Sequence, residues 1–388
     1  MADKTGGGFF KKLFDKGSKE NPVKEYPIED IGMTKGWNNV GKIDFEETNS
    51  TKYGLARTHE FDFKLDKNGY PYLAFLGQRL EVRKYNGKVW EYLEKNSNLI
   101  LTDMRLTINS NGMPYLFAPT RTGGRQQGTI LKYEDKKWEV FAQTNGGQVI
   151  FPNAASDDAG SVYFAYVDVA YSNRIAVTKY DGANWKNIGA PGFPRDLGSA
   201  HGLSYVLDDQ GNQYVAFYAY NPFNSGRVDS GAHAVVMKFD GNDWVTVGEP
   251  YFSEGYVNQI SLAVDSKGIP YVAFCDGAHS EKATVMRFVD NKWTVVGKSA
   301  FSDGRVYHIN IVVDSNGVPY VAYSDYANDK KATVMFFDGN EWKPLGDKSI
   351  SKGEAKEVKL LIDKQDRLYV AYLDVALGSD PTVKRFIR

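Results

Sequence analysis

The chain has one cysteine, Cys275, in 388 residues, so no disulfide can form within it and packing alone must hold the fold. It also lacks a charge of one sign. The 47 basic and 48 acidic residues leave a formal net charge of −1, which excludes a global field that draws nucleic acid or an anionic membrane surface. No run of apolar residues approaches 18, which excludes a helical membrane span. Histidine is scarce, with five in all, and none falls in an HxH or HExxH spacing. CxxC, GxGxxG, P-loop and GxSxG motifs are missing too, so neither metal nor cofactor is expected. The opening segment MADKTGGGFFKKLFDKGSKENP carries Phe9, Phe10, Leu13 and Phe14. That apolar stretch is too short, and too interrupted by lysine, for the core of a secretory signal. Cytoplasm is the default compartment, and export would need an address other than a signal peptide.

What is plentiful is the aromatic residue: 14% of the chain, with 25 Tyr and 22 Phe, a bias that favours strands over helices. These aromatics recur. The segments DSKGIPYVAFCDGAHSEKATVMRFVDNKWTVVG (265–297) and DSNGVPYVAYSDYANDKKATVMFFDGNEWKPLG (314–346) are the clearest copies, with looser ones in NGYPYLAF, NGMPYLFA, GSVYFAYVD and GNQYVAFYAY. The motif tyrosine stands at Tyr72, Tyr115, Tyr163, Tyr214, Tyr271, Tyr320 and Tyr369. All seven tryptophans share one register: Trp37, Trp90, Trp138, Trp185, Trp244, Trp293 and Trp342. A period of 43 to 59 residues without helical spacing, split into four short runs by turn signals, predicts one four-stranded blade per repeat. In the fifth repeat the strands fall at 260–265, 270–274, 283–288 and 293–297, here lettered a to d. Apolar residues alternate along the first (Ile260, Leu262, Val264), as a half-buried strand requires.

The ends decide how many blades there are. The last repeat supplies strands at 358–363, 369–372 and 382–386, but no tryptophan strand. The first tryptophan, in GWNNVG (36–41), precedes any a strand. Seven a–b–c sets therefore match seven d strands only if Trp37 completes the seventh blade, which removes the open edge of the ring. The expected architecture is an all-β, seven-bladed β-propeller over 36–388, with 1–35 as a flexible N-terminal tail and a monomer as the expected state. On these repeats the chain resembles seven-bladed propellers of WD40/kelch-like architecture. The GH…WD signature and the kelch double glycine are absent, so the resemblance is of architecture and implies no catalytic residue. The turn DSNGVPY (314–320) is similar to the Asp-box of sialidases, with one residue more between Asp and Gly.

In such a blade the a–b and c–d turns share one face, the turn face, while b–c and d–a links share the other, the loop face. Tryptophan-to-tyrosine spacing is 25 to 29 residues except for the 35 from Trp37 to Tyr72. Tyrosine-to-tryptophan spacing is 18 to 23 except for the 30 from Tyr214 to Trp244. The two insertions, 42–60 and 219–233, both belong to the loop face, where variable loops on a rigid scaffold carry binding. All five histidines map there as well: His59, His201, His233, His279 and His308. Cys275, Asp168, Asp276, Asp325 and Asp374 stand on the same side at the ends of b strands, and Tyr171, Tyr218, Tyr220, Phe223, Tyr307, Tyr326, Arg195, Arg227 and Arg305 join them. The binding candidates are His201, Tyr220, Phe223, Arg227, His233, Asp276, His279, Arg305, His308, Asp325, Tyr326 and Asp374.

One tryptophan per repeat at a fixed register reads as scaffold, and the motif tyrosines as inter-blade packing. The aspartates of the a–b turns (Asp66, Asp208, Asp265, Asp314, Asp363) cap their turns. Recurrence of the strand-b aspartates in four blades favours hydrogen bonding to the adjacent loop over catalysis, which needs a single pair. His201 and His308 with an aspartate lack metal-ligand spacing, and Cys275 four residues before His279 is weak evidence for an activated thiolate. The expectation is a binding module for a protein or glycan, without catalytic residues. Two alternatives remain open: a glycan-acting hydrolase or lyase using Asp276, Asp325 or Asp374, and a bacterial effector or injection-system cargo addressed by its tail. In the latter, residues 6–17 would dock on a partner through their apolar side chains.

Overall fold

Seven four-stranded antiparallel sheets make up the computed structural model of the protein, which describes residues 25–28, 32–43, 60–76, 80–97, 101, 103–122, 125–144, 147–221 and 231–388. The a strands are Glu60–Leu65, Arg105–Ile108, Val149–Ser156, Ala200–Leu207, Val257–Val264, Val306–Val313 and Ala355–Ile362. Each a strand packs against the a strand of the next blade, and the last meets the first, so these strands form the inner ring of a seven-bladed β-propeller. Strands b (Pro71–Leu76, Pro114–Thr122, Val162–Asp168, Gln213–Ala219, Pro270–Asp276, Pro319–Asp325, Leu368–Asp374) come next outward. The c strands begin at Leu80, Arg125, Arg174, His233, Lys282, Lys331 and Asp380, and the d strands carry the tryptophans at the rim.

Closure is as the repeat count requires. Gly36–Asn39 is the outer strand of blade 7, antiparallel to Asp380–Ile387, with Gly36 opposite Ile387 and Trp37 opposite Phe386. Blade boundaries differ from the sequence expectation in one systematic way. Strand a of blade 5 begins at Val257 rather than Ile260, and that of blade 7 at Ala355 rather than Val358. A β-bulge interrupts the a–b register in blades 3 to 7 and throws the alternation out of phase, so residues before it read as loop.

The repeat motif has a physical reason. All seven motif tyrosines are buried between blades. In five blades the indole N–H donates to a backbone carbonyl beside the outer strand of the preceding blade: Trp90 to Val40, Trp244 to Ile188, Trp293 to Val247, Trp342 to Val296 and Trp37 to Leu345, at 2.6 to 2.9 Å. The residue after each accepting carbonyl is a glycine with positive φ. At Gly248 an added Cβ would meet the Phe288 ring of the next blade at 2.5 Å, so only glycine lets the two blades approach. The a–b turns are capped as expected: Asp265 Oδ1, for instance, accepts from the N–H groups of Lys267 and Ile269. In blades 2 and 3 Asn109 Oδ1 accepts from the N–H groups of Asn111 and Met113, and Asp157 Oδ1 from that of Ser161.

Within the stretch read as a tail, residues 1–24 and 29–31 lie outside the described residues. Residues 25–28 lie on the turn face of blade 1. Tyr26 N–H donates to the Asn86 carbonyl at 2.8 Å, Tyr70 hydroxyl donates to the Tyr26 carbonyl at 2.9 Å, and Glu25 pairs with the buried Lys84 at 2.5 Å.

Candidate loop-face site

The b–c links of blades 3, 5, 6 and 7 share one construction. The strand-b aspartate caps a single 3₁₀ turn by accepting from the N–H two residues on, and the turn ends in a left-handed residue: Ser172, Ser280, Asp329 or Gly378. All four carboxylates are buried. Asp374 also accepts from the N–H groups of Lys352 and Gly353, at 2.9 and 3.0 Å. Asp276 Oδ2 accepts from the Thr284 hydroxyl at 2.8 Å and lies 3.0 Å from His279 Nδ1. Burial raises the Asp325 pKa even though Ala327 N–H opposes it. Each of these carboxylates thus accepts from at least one backbone N–H of its own link, which fixes the turn.

The rigid links lift aromatic side chains into solvent. In blade 6 Tyr307 and Tyr326 pack with ring centroids 5.1 Å apart, and the Arg305 guanidinium lies 4.5 Å from the Tyr326 centroid and 5.1 Å from that of Tyr307. Arg305 also pairs with Glu281 of blade 5 at 3.2 Å. Tyr256 hydroxyl and Asn258 amide both donate to that same carboxylate, at 3.1 and 2.8 Å. Glu281 thus joins two blades, which sequence reasoning missed; it follows Ser280 in a second consecutive left-handed position. In blade 4 His201 stacks on Tyr218 at 6.1 Å and meets Tyr220 edge-on at 5.5 Å, with Tyr220 54% exposed. His233 stands apart. It is buried, with Nδ1 3.0 Å from the Ser253 carbonyl. Phe223, Arg227 and His59 lie outside the described residues, as does most of both insertions. Cys275 is buried with Sγ 3.3 Å from the Val306 carbonyl, and burial pushes its pKa far up.

His308 belongs to the axis of the ring. One residue per inner strand forms a belt there: Asp62, Arg105, Asn153, Ser204, Ser261, Asn310 and Lys359, each opposite the residue two past the motif tyrosine. Inner strands are sheet edges with backbone groups to satisfy. Asp62, Ser204, Ser261 and Asn310 do so, accepting from the N–H of Leu106, Leu262, Ile311 and Leu360 in the following blade at 2.8 to 3.1 Å. One step toward the loop face stand Glu60, Asp103, His308 and Glu357. His308 and Glu357 occupy bulges with φ of 54° and 52°, their side chains 3.7 Å apart. Burial lowers the pKa of His308 and of Lys359, the latter helped by Arg105, and raises that of Glu60, helped by Asp103. Among the described residues no cluster of His, Cys, Asp and Glu could hold a metal ion.

Fold and site together define a seven-bladed β-propeller with an aromatic loop face and an ionisable inner belt. No family model matches the chain, and no curated protein matches it in sequence. Among solved structures it is similar to an ulvan lyase of polysaccharide lyase family PL25, bound to a fragment of glucuronic acid and sulfated rhamnose. The TM-score is 0.54 at 15% identity, over 83% of this chain and 90% of that one. It is likewise similar to YCF48 bound to D1 peptide (TM-score 0.52, 12% identity, 86% and 92% of the two chains). A protein of unknown function from Dyadobacter fermentans gives 0.51 at 12% identity, over 76% and 96%. At such identities the likeness is of fold alone. No helix among the described residues is long and apolar enough to cross a membrane.

Proposed function

We propose that the protein is a non-enzymatic binding module that takes a protein or glycan ligand on its loop face. The observation that carries this is where exposed large apolar side chains fall. Val169, Tyr171, Tyr220, Tyr326 and Leu377, 39 to 54% exposed, all crown b–c links or follow a b strand. The remaining ones among the described residues, Val89, Tyr92, Val140, Val245 and Val295, are spread over the outer strands and one turn. Rigid tyrosines beside an oriented arginine are the groups that dominate protein interfaces, and their faces equally stack on sugar rings. The ulvan lyase and YCF48 carry a glycan and a peptide respectively, which supports a fold that accommodates both. The test is glycan and peptide arrays probed with the full chain. Arg305→Ala with Tyr326→Ala should weaken the best ligand at least tenfold. Binding unchanged after Tyr171, Tyr220, Arg305 and Tyr326 are all replaced by alanine refutes the reading.

A second reading, a glycan-acting enzyme, is favoured by one observation: groups whose environments push their pKa values apart share the belt and its loop-side neighbours. Its acid and base would then lie among Glu60, His308 and Glu357, of which His308 and Glu357 are 3.7 Å apart, rather than Asp276, Asp325 and Asp374, which cap their links. Turnover of acidic polysaccharides that survives both Glu60→Gln and His308→Ala counts against it. The tail-addressed cargo reading rests on residues 6–17. Deleting 1–24 should abolish loading while leaving thermal stability intact, and continued loading ends that idea.

A further inference from the structure

The seam that closes the ring contains a cavity of about 300 Å³. Its walls come from three segments that meet only because the ring closes: 39–43 leaving the Trp37 strand, 350–352 between blades 6 and 7, and 372–384 of blade 7. Ile43, Ile350, Leu377 and Pro381 give it apolar sides. Two of its polar groups are already committed. Tyr372 hydroxyl donates to the Ile350 carbonyl at 3.1 Å, and Asp374 accepts from the amides of Lys352, Gly353 and Ala376. Three lysines, Lys42, Lys352 and Lys384, stand against two aspartates in the lining. Among the described residues no ion pair reaches the ammonium of Lys352 or of Lys384.

Two lysines lining one cavity repel each other, and burial makes Lys384 costlier to keep charged. Burial pushes the Lys384 pKa below the ordinary lysine value, with Asp374 opposing and Lys352 adding to the depression. An anion between the two removes both penalties through charge-assisted hydrogen bonds. The apolar walls call for more than a bare ion, and the volume is that of a small ligand site. We infer that the seam cavity binds a small organic acid, its carboxylate between Lys352 and Lys384 and its apolar body against Ile43, Ile350 and Leu377. The site is separate from the aromatic rim on blades 3 to 6 and shares only Leu377 with the exposed apolar side chains of the loop face. Because its walls span the closure, the bound acid tightens the Trp37 strand onto blade 7.

The test uses the full chain with benzoate and hexanoate as probes, and hexanol and sulfate at matched ionic strength as controls, read by calorimetric titration and thermal shift. Either acid should bind saturably and raise Tm, while hexanol and sulfate should not. Lys352→Gln and Lys384→Gln should each weaken the acid at least tenfold. Leu377→Asp, at an exposed position lining the cavity, should weaken it as well by placing a competing carboxylate there. The exposed Lys298→Gln should change nothing. Hydrogen exchange of 36–39 and 380–387 should slow with the acid present. The inference is overturned if neither acid binds saturably, if sulfate matches them, or if binding persists in both lysine variants.

Discussion

Replacing Trp37 by alanine tests whether the ring is only as strong as its one non-covalent blade. The indole donates a 2.7 Å hydrogen bond to the Leu345 carbonyl and meets Phe386 edge-on at 5.2 Å. Fully buried tryptophans cost about 3–5 kcal/mol on truncation to alanine; Trp37 is half-buried, so the low end applies, near 3 kcal/mol with the hydrogen bond included. At Trp342, which makes the equivalent bond to Val296, the loss is of similar size. The two should differ in where the structure opens. The Trp342 strand is tied covalently to its neighbour by a c–d turn, whereas Gly36–Asn39 has no such link to Asp380–Ile387 and holds by its ladder and the Trp37 contacts. For Trp37→Ala, amide exchange in 36–39 and 380–387 should therefore accelerate about a hundredfold, the factor that 3 kcal/mol represents, while blades 2 to 5 keep their protection. For Trp342→Ala the increase should stay in blade 6. Matching exchange maps for the two variants would show that closure is not the weak seam and would refute the reasoning.

Truncation at two points should separate the tail from its anchor. Removing 1–24 should leave Tm unchanged, whereas removing 1–28 strips Glu25 and Tyr26 from blade 1, exposes the buried Lys84 side chain, and should lower Tm by a few degrees. Equal melting of the two forms would make residues 25–28 passive. Acid should also act through His308. Its folded pKa lies below the ordinary 6.5, so the unfolded chain binds more protons and stability is complete above pH 6.5 and lost as pH falls below it. Glu60, with a raised pKa, acts in the opposite sense, so the comparison is between variants. Between pH 7 and 5.5 the wild type should lose more Tm than His308→Gln, and parallel curves would exclude His308 as the source. Finally, Cys275 should resist iodoacetamide in the native protein and react on unfolding, since burial holds it as the thiol. Stoichiometric labelling without loss of structure contradicts its placement.

The ring was legible because its signals are local and repeated. Tryptophan, motif tyrosine and turn aspartate each recur once per blade, and the unpaired Trp37 strand could only complete the last one. The a strands were underestimated because their bulges break the two-residue period, and nothing in an isolated repeat announces a bulge. The site was less legible for a different reason. Recurrence in four blades pointed Asp276, Asp325 and Asp374 to hydrogen bonding with the adjacent loop, but which amides they accept from, such as Lys352 and Gly353 for Asp374, is a matter of three dimensions. Glu281 and Glu357 were hard to read because their partners sit on neighbouring segments, 23 to 25 residues away for Glu281 and in the preceding blade for Glu357. Repetition exposes what blades share; function resides in what they do not.

The register at the closure has a mechanical consequence. Gly36 stands opposite Ile387, so handles attached at those two residues would leave the same end of the antiparallel ladder. Force applied between them loads one hydrogen bond at a time and peels the strand like a zipper, instead of shearing all four pairs together. Pulling instead from Asn39 and Ile387 would load the ladder along its length. A ring that resists heat through every blade at once should thus yield to a small directed tension at one address, opening blade 7 while six blades remain wound.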